Sequence, residues 1–148
     1  MIQRKLTKFL PFSPLQLYEL VLDINSYPKF IPWCAASRVL ETHEDYLIAD
    51  LVIKFSGLSE KYTSKVIKFP YENTQHFAEI KVELISGPFK HLYNYWKFNG
   101  QENGTEIEFE IAFSFNSSIL EKLMSLMFEK ALVKMIDAFE EQANKIYK

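Results

Sequence analysis

Few residues in this chain are of types that could carry covalent or metal chemistry. There are three histidines, His43, His76 and His91, and one cysteine, Cys34. No two of them stand at the spacing of a zinc site. A Cys34 thiolate activated by His91 would be a nucleophile if the fold brought the two together. A lone cysteine is more often a small buried hydrophobe, and that is the expectation here. His43 and His76 fall at turns, where water solvates them. Glu106, Glu108 and Glu110 look like paired carboxylates, but they alternate with Ile107, Phe109 and Ile111. In a strand that pattern puts the carboxylates on the solvent face. No glycine-rich phosphate loop occurs, since the four glycines stand at turns or strand breaks. These residue types predict no catalytic residue and no metal.

Groups that bind are more abundant than groups that react. The chain has 13 Phe, 8 Tyr and 2 Trp in 148 residues. The segment 27–34 spends Tyr27, Phe30, Ile31 and Trp33 on a loop-like connector. Loops run over surfaces, so these side chains must cap a core or form a binding edge. A second cluster follows Gly87-Pro88, where Leu92, Asn94, Trp96 and Phe98 share a strand face. An inward Asn94 needs a hydrogen-bond partner from the protein or from a ligand head group, and a structural bond is the expected one. Along residues 118–147, Leu120, Met124, Met127, Ala131, Met135 and Ala138 recur at steps of three and four. That spacing forms one helical stripe, and methionine suits surfaces that pack against more than one shape. Ile119, Leu126 and Val133 repeat every seven residues on the other side, either beneath the first helices or as a partner or membrane surface.

The elements that must position these residues follow from local pattern. Residues 2–10 read as a strand. Ser13-Pro14 then opens a short helix, with Ser13 as N-cap and Gln16 at the third helical position. The segment 27–34 is expected to be a short, irregular helical connector. Alternation of apolar and polar residues predicts strands at 36–42, 46–56, 61–69, 75–86, 90–99 and through Ile107–Phe115. Pro70-Tyr71-Glu72-Asn73 and residues 101–104 read as turns. On the inward faces lie Phe55, Tyr62, Ser64, Trp96 and Phe113. The last element is one uninterrupted helix from Ser118 to Tyr147, about 45 Å long at 1.5 Å per residue. Ser118 is its expected N-cap, in a capping box with Glu121. The fold class is α+β: a curved antiparallel sheet of about six or seven strands wrapped around the long C-terminal helix, with two short helices after the first strand. A wedge between sheet and helix, bounded by Phe and Met, would make a small-molecule site. Residues 1–148 are expected to form one domain.

Net charge is −2, and apart from Arg4 and Arg38 the basic side chains are all lysine. That gives no electrostatic case for DNA or other nucleic acid. The first residues lack a signal-peptide apolar core, and no apolar run reaches 18 residues. The expected location is the cytoplasm, with peripheral contact at the inner membrane allowed.

Asp23…Tyr27-Pro28-Lys29-Phe30-Ile31-Pro32-Trp33-Cys34 and Gly87-Pro88-Phe89…His91-Leu92…Asn94…Trp96 carry a family resemblance. So do Ala49-Asp50-Leu51…Ile53…Phe55, Tyr62-Thr63-Ser64 and Ala138-Phe139-Glu140. Together they span nearly the whole chain, which resembles the coenzyme Q-binding protein family of the START-like, polyketide cyclase/dehydrase-like superfamily. The resemblance implies a helix-grip fold and a non-enzymatic carrier or chaperone that binds ubiquinone, a polyprenyl quinone, in support of respiratory electron transfer. No targeting segment precedes the motifs, which implies a bacterial form. Bacterial relatives labelled ribosome-association toxins imply the alternative of binding a ribosomal subunit and blocking subunit joining. The superfamily also allows a cyclase or dehydratase. On the carrier reading, the ligand would meet Trp33, Phe55, Tyr62, Ser64, Asn94, Trp96, Phe113, Met127, Ala131 and Met135. Tyr27, Phe30, Ile31 and Trp33 would form a lid that touches the membrane.

Overall fold

The computed structural model describes residues 1–72 and 75–148. Strand β1 (Ile2–Leu10) leads into helix α1 (Pro14–Leu22) and a 3-10 helix (Ile24–Lys29). Strands β2 (Cys34–Thr42), β3 (Tyr46–Phe55), β4 (Leu58–Phe69), β5 (Phe77–Ser86), β6 (Phe89–Gln101) and β7 (Gly104–Phe115) follow, and helix α2 (Ser118–Tyr147) closes the chain. The expected turn at 70–73 includes Asn73, which lies outside the described residues.

All seven strands join one antiparallel sheet in the order β1-β7-β6-β5-β4-β3-β2. Consecutive strands from β2 to β7 are neighbours, as short hairpins require. The β3–β4 connection is tighter than the sequence pattern suggests. Ser56 and Gly57 both take positive φ, 45° and 83°, the geometry of a two-residue hairpin whose twist matches its strands. Strand β4 therefore begins at Leu58, three residues before the strand expected at 61–69. At the next turn but one, Gly87 has φ 149°, and a Cβ there would come within 2.6 Å of the Tyr62 Cβ. Glycine is what lets the β5–β6 turn cross Tyr62 so closely.

Ser13 caps α1 as its spacing predicts: its Oγ accepts from the Gln16 N–H at 3.1 Å, and the Gln16 amide returns a 3.0 Å bond. The α2 cap is corrected by one residue. Ser117, not Ser118, is the N-cap and accepts from the Leu120 N–H at 3.3 Å. Glu121 turns its carboxylate to the Phe115 N–H at 3.1 Å, where the end of β7 offers a donor that no strand pairs. At the far end of α2 the Tyr147 hydroxyl donates to the Gln16 carbonyl at 2.9 Å, tying helix to helix.

The core lies between the concave sheet face and α2. One half of it is solid: Ala49, Ala78 and Phe98 have no accessible surface. The other half is not. Pairing slips by a residue at Cys34/Ala36, at Val39/Glu41, at Thr63/Ser64 and at Phe89/His91. Such bulges bend a strand and increase its twist, so the sheet curls there and stands off the helix.

Candidate functional site

The space left by that curl is a cavity of about 150 Å³. Its sheet wall comes from alternate residues of adjacent strands: Ile53 and Phe55 on β3, Tyr62 and Ser64 on β4, Leu92, Asn94 and Trp96 on β6, and Ile111 and Phe113 on β7. Helix α2 supplies Met124, Phe128, Ala131, Leu132, Met135 and Phe139. Tyr27, Ile31 and Trp33 close the side toward the connector. Nine of the ten side chains expected to meet a ligand thus line one cavity.

Met127 is the exception. It sits at the helix edge, partly exposed, with its sulfur 3.5 Å from the Ser56 hydroxyl. The buried side of α2 carries Met124, Phe128, Ala131, Leu132, Met135, Ala138, Phe139 and Ala143. At 100° per residue this face is rotated about 50° from the methionine stripe. Phe128, Leu132 and Phe139 lie on this buried face and outside the methionine stripe, which follows residue type rather than the largest apolar side chains. The three-and-four spacing of Met124, Phe128, Leu132, Met135 and Phe139 carried the signal.

The four connector side chains expected to form a lid take different places. Ile31 is 2 % exposed and belongs to the core. Phe30 does not reach the cavity; it packs edge-on against Phe139, with ring centres 5.3 Å apart. Tyr27 meets Phe139 in the same way, and its hydroxyl donates to the Val21 carbonyl. Trp33 stacks on Phe55 at 5.9 Å. Through Tyr27, Ile31 and Trp33 the connector forms one wall of the cavity.

Polar groups in the cavity are few and neutral. Asn94 is satisfied by the protein: its Oδ1 accepts from the Trp96 Nε1–H at 2.9 Å and its Nδ2 donates to the Glu110 carbonyl at 2.9 Å. Ser64, 2 % exposed, and Tyr62 add hydroxyls. Burial pushes the Tyr62 hydroxyl well above the usual tyrosine range, with proximity to Cys34 adding to the effect. Tyr27 is raised further, first by burial and then by Tyr62. Both are uncharged at neutral pH, and among the described residues no lining side chain carries a charge. The indole N–H of Trp33 is buried without an acceptor. An unpaired buried donor costs about 1–3 kcal/mol.

Cys34 and His91 do not form a nucleophilic pair. Cys34 is on β2 and His91 on β6, with three strands between them. The thiol is buried, 3.5 Å from the Ala36 carbonyl, and burial pushes it up to about 11. His91 is exposed, as are Glu106 and Glu108, while Glu110 is half-buried on the outer face beside Lys5. His43 stacks on Tyr46 at the turn where it was placed. The cavity can bury an apolar ring and offer it hydroxyl and indole donors.

A seven-stranded antiparallel sheet gripping one long helix over an internal apolar cavity is the START-like, helix-grip architecture. A solved STAR-related lipid transfer protein from Xanthomonas axonopodis superimposes with a TM-score of 0.84 over 96 % of this chain and 85 % of that one, at 12 % identity, a likeness of fold. The chain belongs to the polyketide cyclase/dehydrase and lipid transport family, whose model matches residues 10–140. It is 45 % identical over 142 residues to a protein of Rickettsia prowazekii named ribosome association toxin RatA, covering 96 % of each chain. It is also 31 % identical over 146 residues to the mitochondrial coenzyme Q-binding protein COQ10 homolog B of Xenopus laevis, covering 95 % of this chain and 57 % of that one. Neither relative bears the name of an enzyme, while the family description includes cyclases and dehydrases.

Proposed function

We propose that this protein is a non-catalytic carrier or chaperone for a polyprenyl quinone, with ubiquinone as the ligand, serving respiratory electron transfer. The observation that carries the reading is the uncharged apolar cavity of about 150 Å³ between sheet and helix. A void of that size takes up a benzene-sized ring. A quinone ring is neutral, flat and bears carbonyl acceptors. The hydroxyls of Ser64 and Tyr62 and the unpaired Trp33 N–H are donors on or beside that wall. Each methylene buried with the first isoprene unit adds about 0.8 kcal/mol. The likeness to a relative named as coenzyme Q-binding supports the same ligand. Mass spectrometry of an organic extract of the protein, purified from a quinone-making host, tests it. Near-stoichiometric isoprenoid quinone is expected. A content no higher than that of an unrelated protein purified alongside overturns the reading.

The relative named as a ribosome association toxin favours a second reading, in which the chain binds a ribosomal subunit. Co-migration with subunits on a sucrose gradient that survives moderate salt would support it. The net charge of −2 weighs against a partner held by phosphate contacts.

A further inference from the structure

The outward face of α2 is not the polar surface an amphipathic helix usually shows. Ile119, Leu126 and Val133 are 77 %, 80 % and 58 % exposed, so they do not pack beneath the first helices. At 100° per residue the three fall within about 40° of one another. Lys122, Lys130 and Lys134 flank them, all exposed. The two carboxylates of the same stretch are engaged elsewhere, Glu129 with Arg4 and Glu121 with the Phe115 N–H. One heptad beyond Val133 the position is Glu140, paired with Lys8 at 3.1 Å, and Asp137 and Glu141 are exposed around it. Apolar stripe and free lysines therefore begin and end together, in a chain whose net charge is −2.

This face is continuous with one wall of the cavity. Leu58, 38 % exposed at the β3–β4 turn, forms a shallow notch with Leu120, Leu123 and Met124, which Glu60 also lines. Ile53, Phe55, Phe115 and Met124 line both the notch and the cavity. At about 150 Å³ the cavity matches a ring rather than a whole polyprenyl chain, so on the carrier reading the chain leaves the protein on some side.

We propose that the outer face of residues 119–134, with Leu58, docks on an anionic phospholipid bilayer. The shared wall is thereby set against the lipid, so that an isoprenoid chain can pass between bilayer and cavity. Aliphatic side chains enter the boundary between head groups and acyl chains. The lysine stems lie along apolar surface with their ammonium groups at the phosphates. RNA would suit the lysines but offers nothing to isoleucine, leucine and valine, since unpaired bases are read by aromatic and Arg planes. Docking itself stands on this surface alone; what passes through the wall rests on the carrier reading.

Flotation of the full chain with vesicles of phosphatidylcholine, with and without phosphatidylglycerol, tests the proposal. Two triple variants accompany it, Ile119→Ser with Leu126→Ser and Val133→Ser, and Lys122→Ala with Lys130→Ala and Lys134→Ala. The wild type should float with the anionic vesicles and far less with neutral ones. The lysine variant should lose about fivefold per charge removed, and the serine variant at least about tenfold. Both should keep the wild-type melting temperature and the quenching of tryptophan fluorescence by a short-chain quinone. Flotation without quenching in any form supports docking and removes the carrier reading instead. Docking is overturned if the wild type stays with neither vesicle, or if the variants float as well as it does. It is overturned equally if the substitutions abolish co-sedimentation with ribosomal subunits, or self-association, and leave flotation unchanged.

Discussion

Ala131 stands on α2 against the cavity, 9 % exposed, and replacing it with phenylalanine separates ligand binding from stability. A closed void costs about 24 cal/mol per Å³, so filling the cavity of about 150 Å³ returns at most about 3–4 kcal/mol. The phenyl ring of Ala131→Phe is the size of the benzene such a void accepts. Adjusting neighbouring rotamers around it takes back about 1–3 kcal/mol. The unliganded variant should then be about 1–2 kcal/mol more stable, and melt about 2–8 °C higher for a chain of this size. Its quinone affinity should fall at least about tenfold, because the ring and the phenyl group compete for one space. The assay is intrinsic to the protein: Trp33 and Trp96 are its two tryptophans, and both line the cavity. A short-chain ubiquinone bound there must quench their fluorescence. Quenching that survives in a variant with a raised melting temperature would place the ligand elsewhere. A melting temperature about 10 °C lower would show that the space beside Ala131 is already filled.

Two further outcomes follow from buried polar groups. Asn94→Leu leaves the Trp96 N–H without its acceptor and should cost about 2 kcal/mol, or about 4–8 °C by calorimetry; an unchanged melting temperature would mean that Asn94 is held for a ligand rather than for the fold. Burial holds the Cys34 thiol protonated up to about 11, against 9.0 in the open chain. Because the folded value is the higher, the stability it contributes is complete below pH 9 and is lost as pH rises toward 11. Native protein should therefore resist iodoacetamide at pH 8 and react once denatured. The melting temperature should fall more steeply above pH 9 in the wild type than in Cys34→Ala. Rapid alkylation of folded protein at pH 8 would contradict the burial.

Local pattern determined most of the architecture. Alternation in β3, β6 and β7 fixed which side chains face inward, because successive residues of a strand must point to opposite faces, and the structure places Phe55, Trp96 and Phe113 accordingly. The Ser13 box and the long run without Pro or Gly after Ser118 marked both helices through backbone chemistry that acts within one turn. Three matters were left to the tertiary structure. Which arc of α2 is buried depends on how the curved sheet presents its concave face, and spacing alone admits a rotation of about 50°; hence Met127 at the edge and Phe128 inside. Whether the connector's rings face water or core depends on Phe139 and Phe55, which are distant in sequence and meet it only after folding. The cavity depends on how far the sheet curls away from α2, to which slips in strand pairing at Cys34, Val39, Thr63 and Phe89 contribute bends. Such slips are properties of two strands together, and no single stretch of sequence contains them.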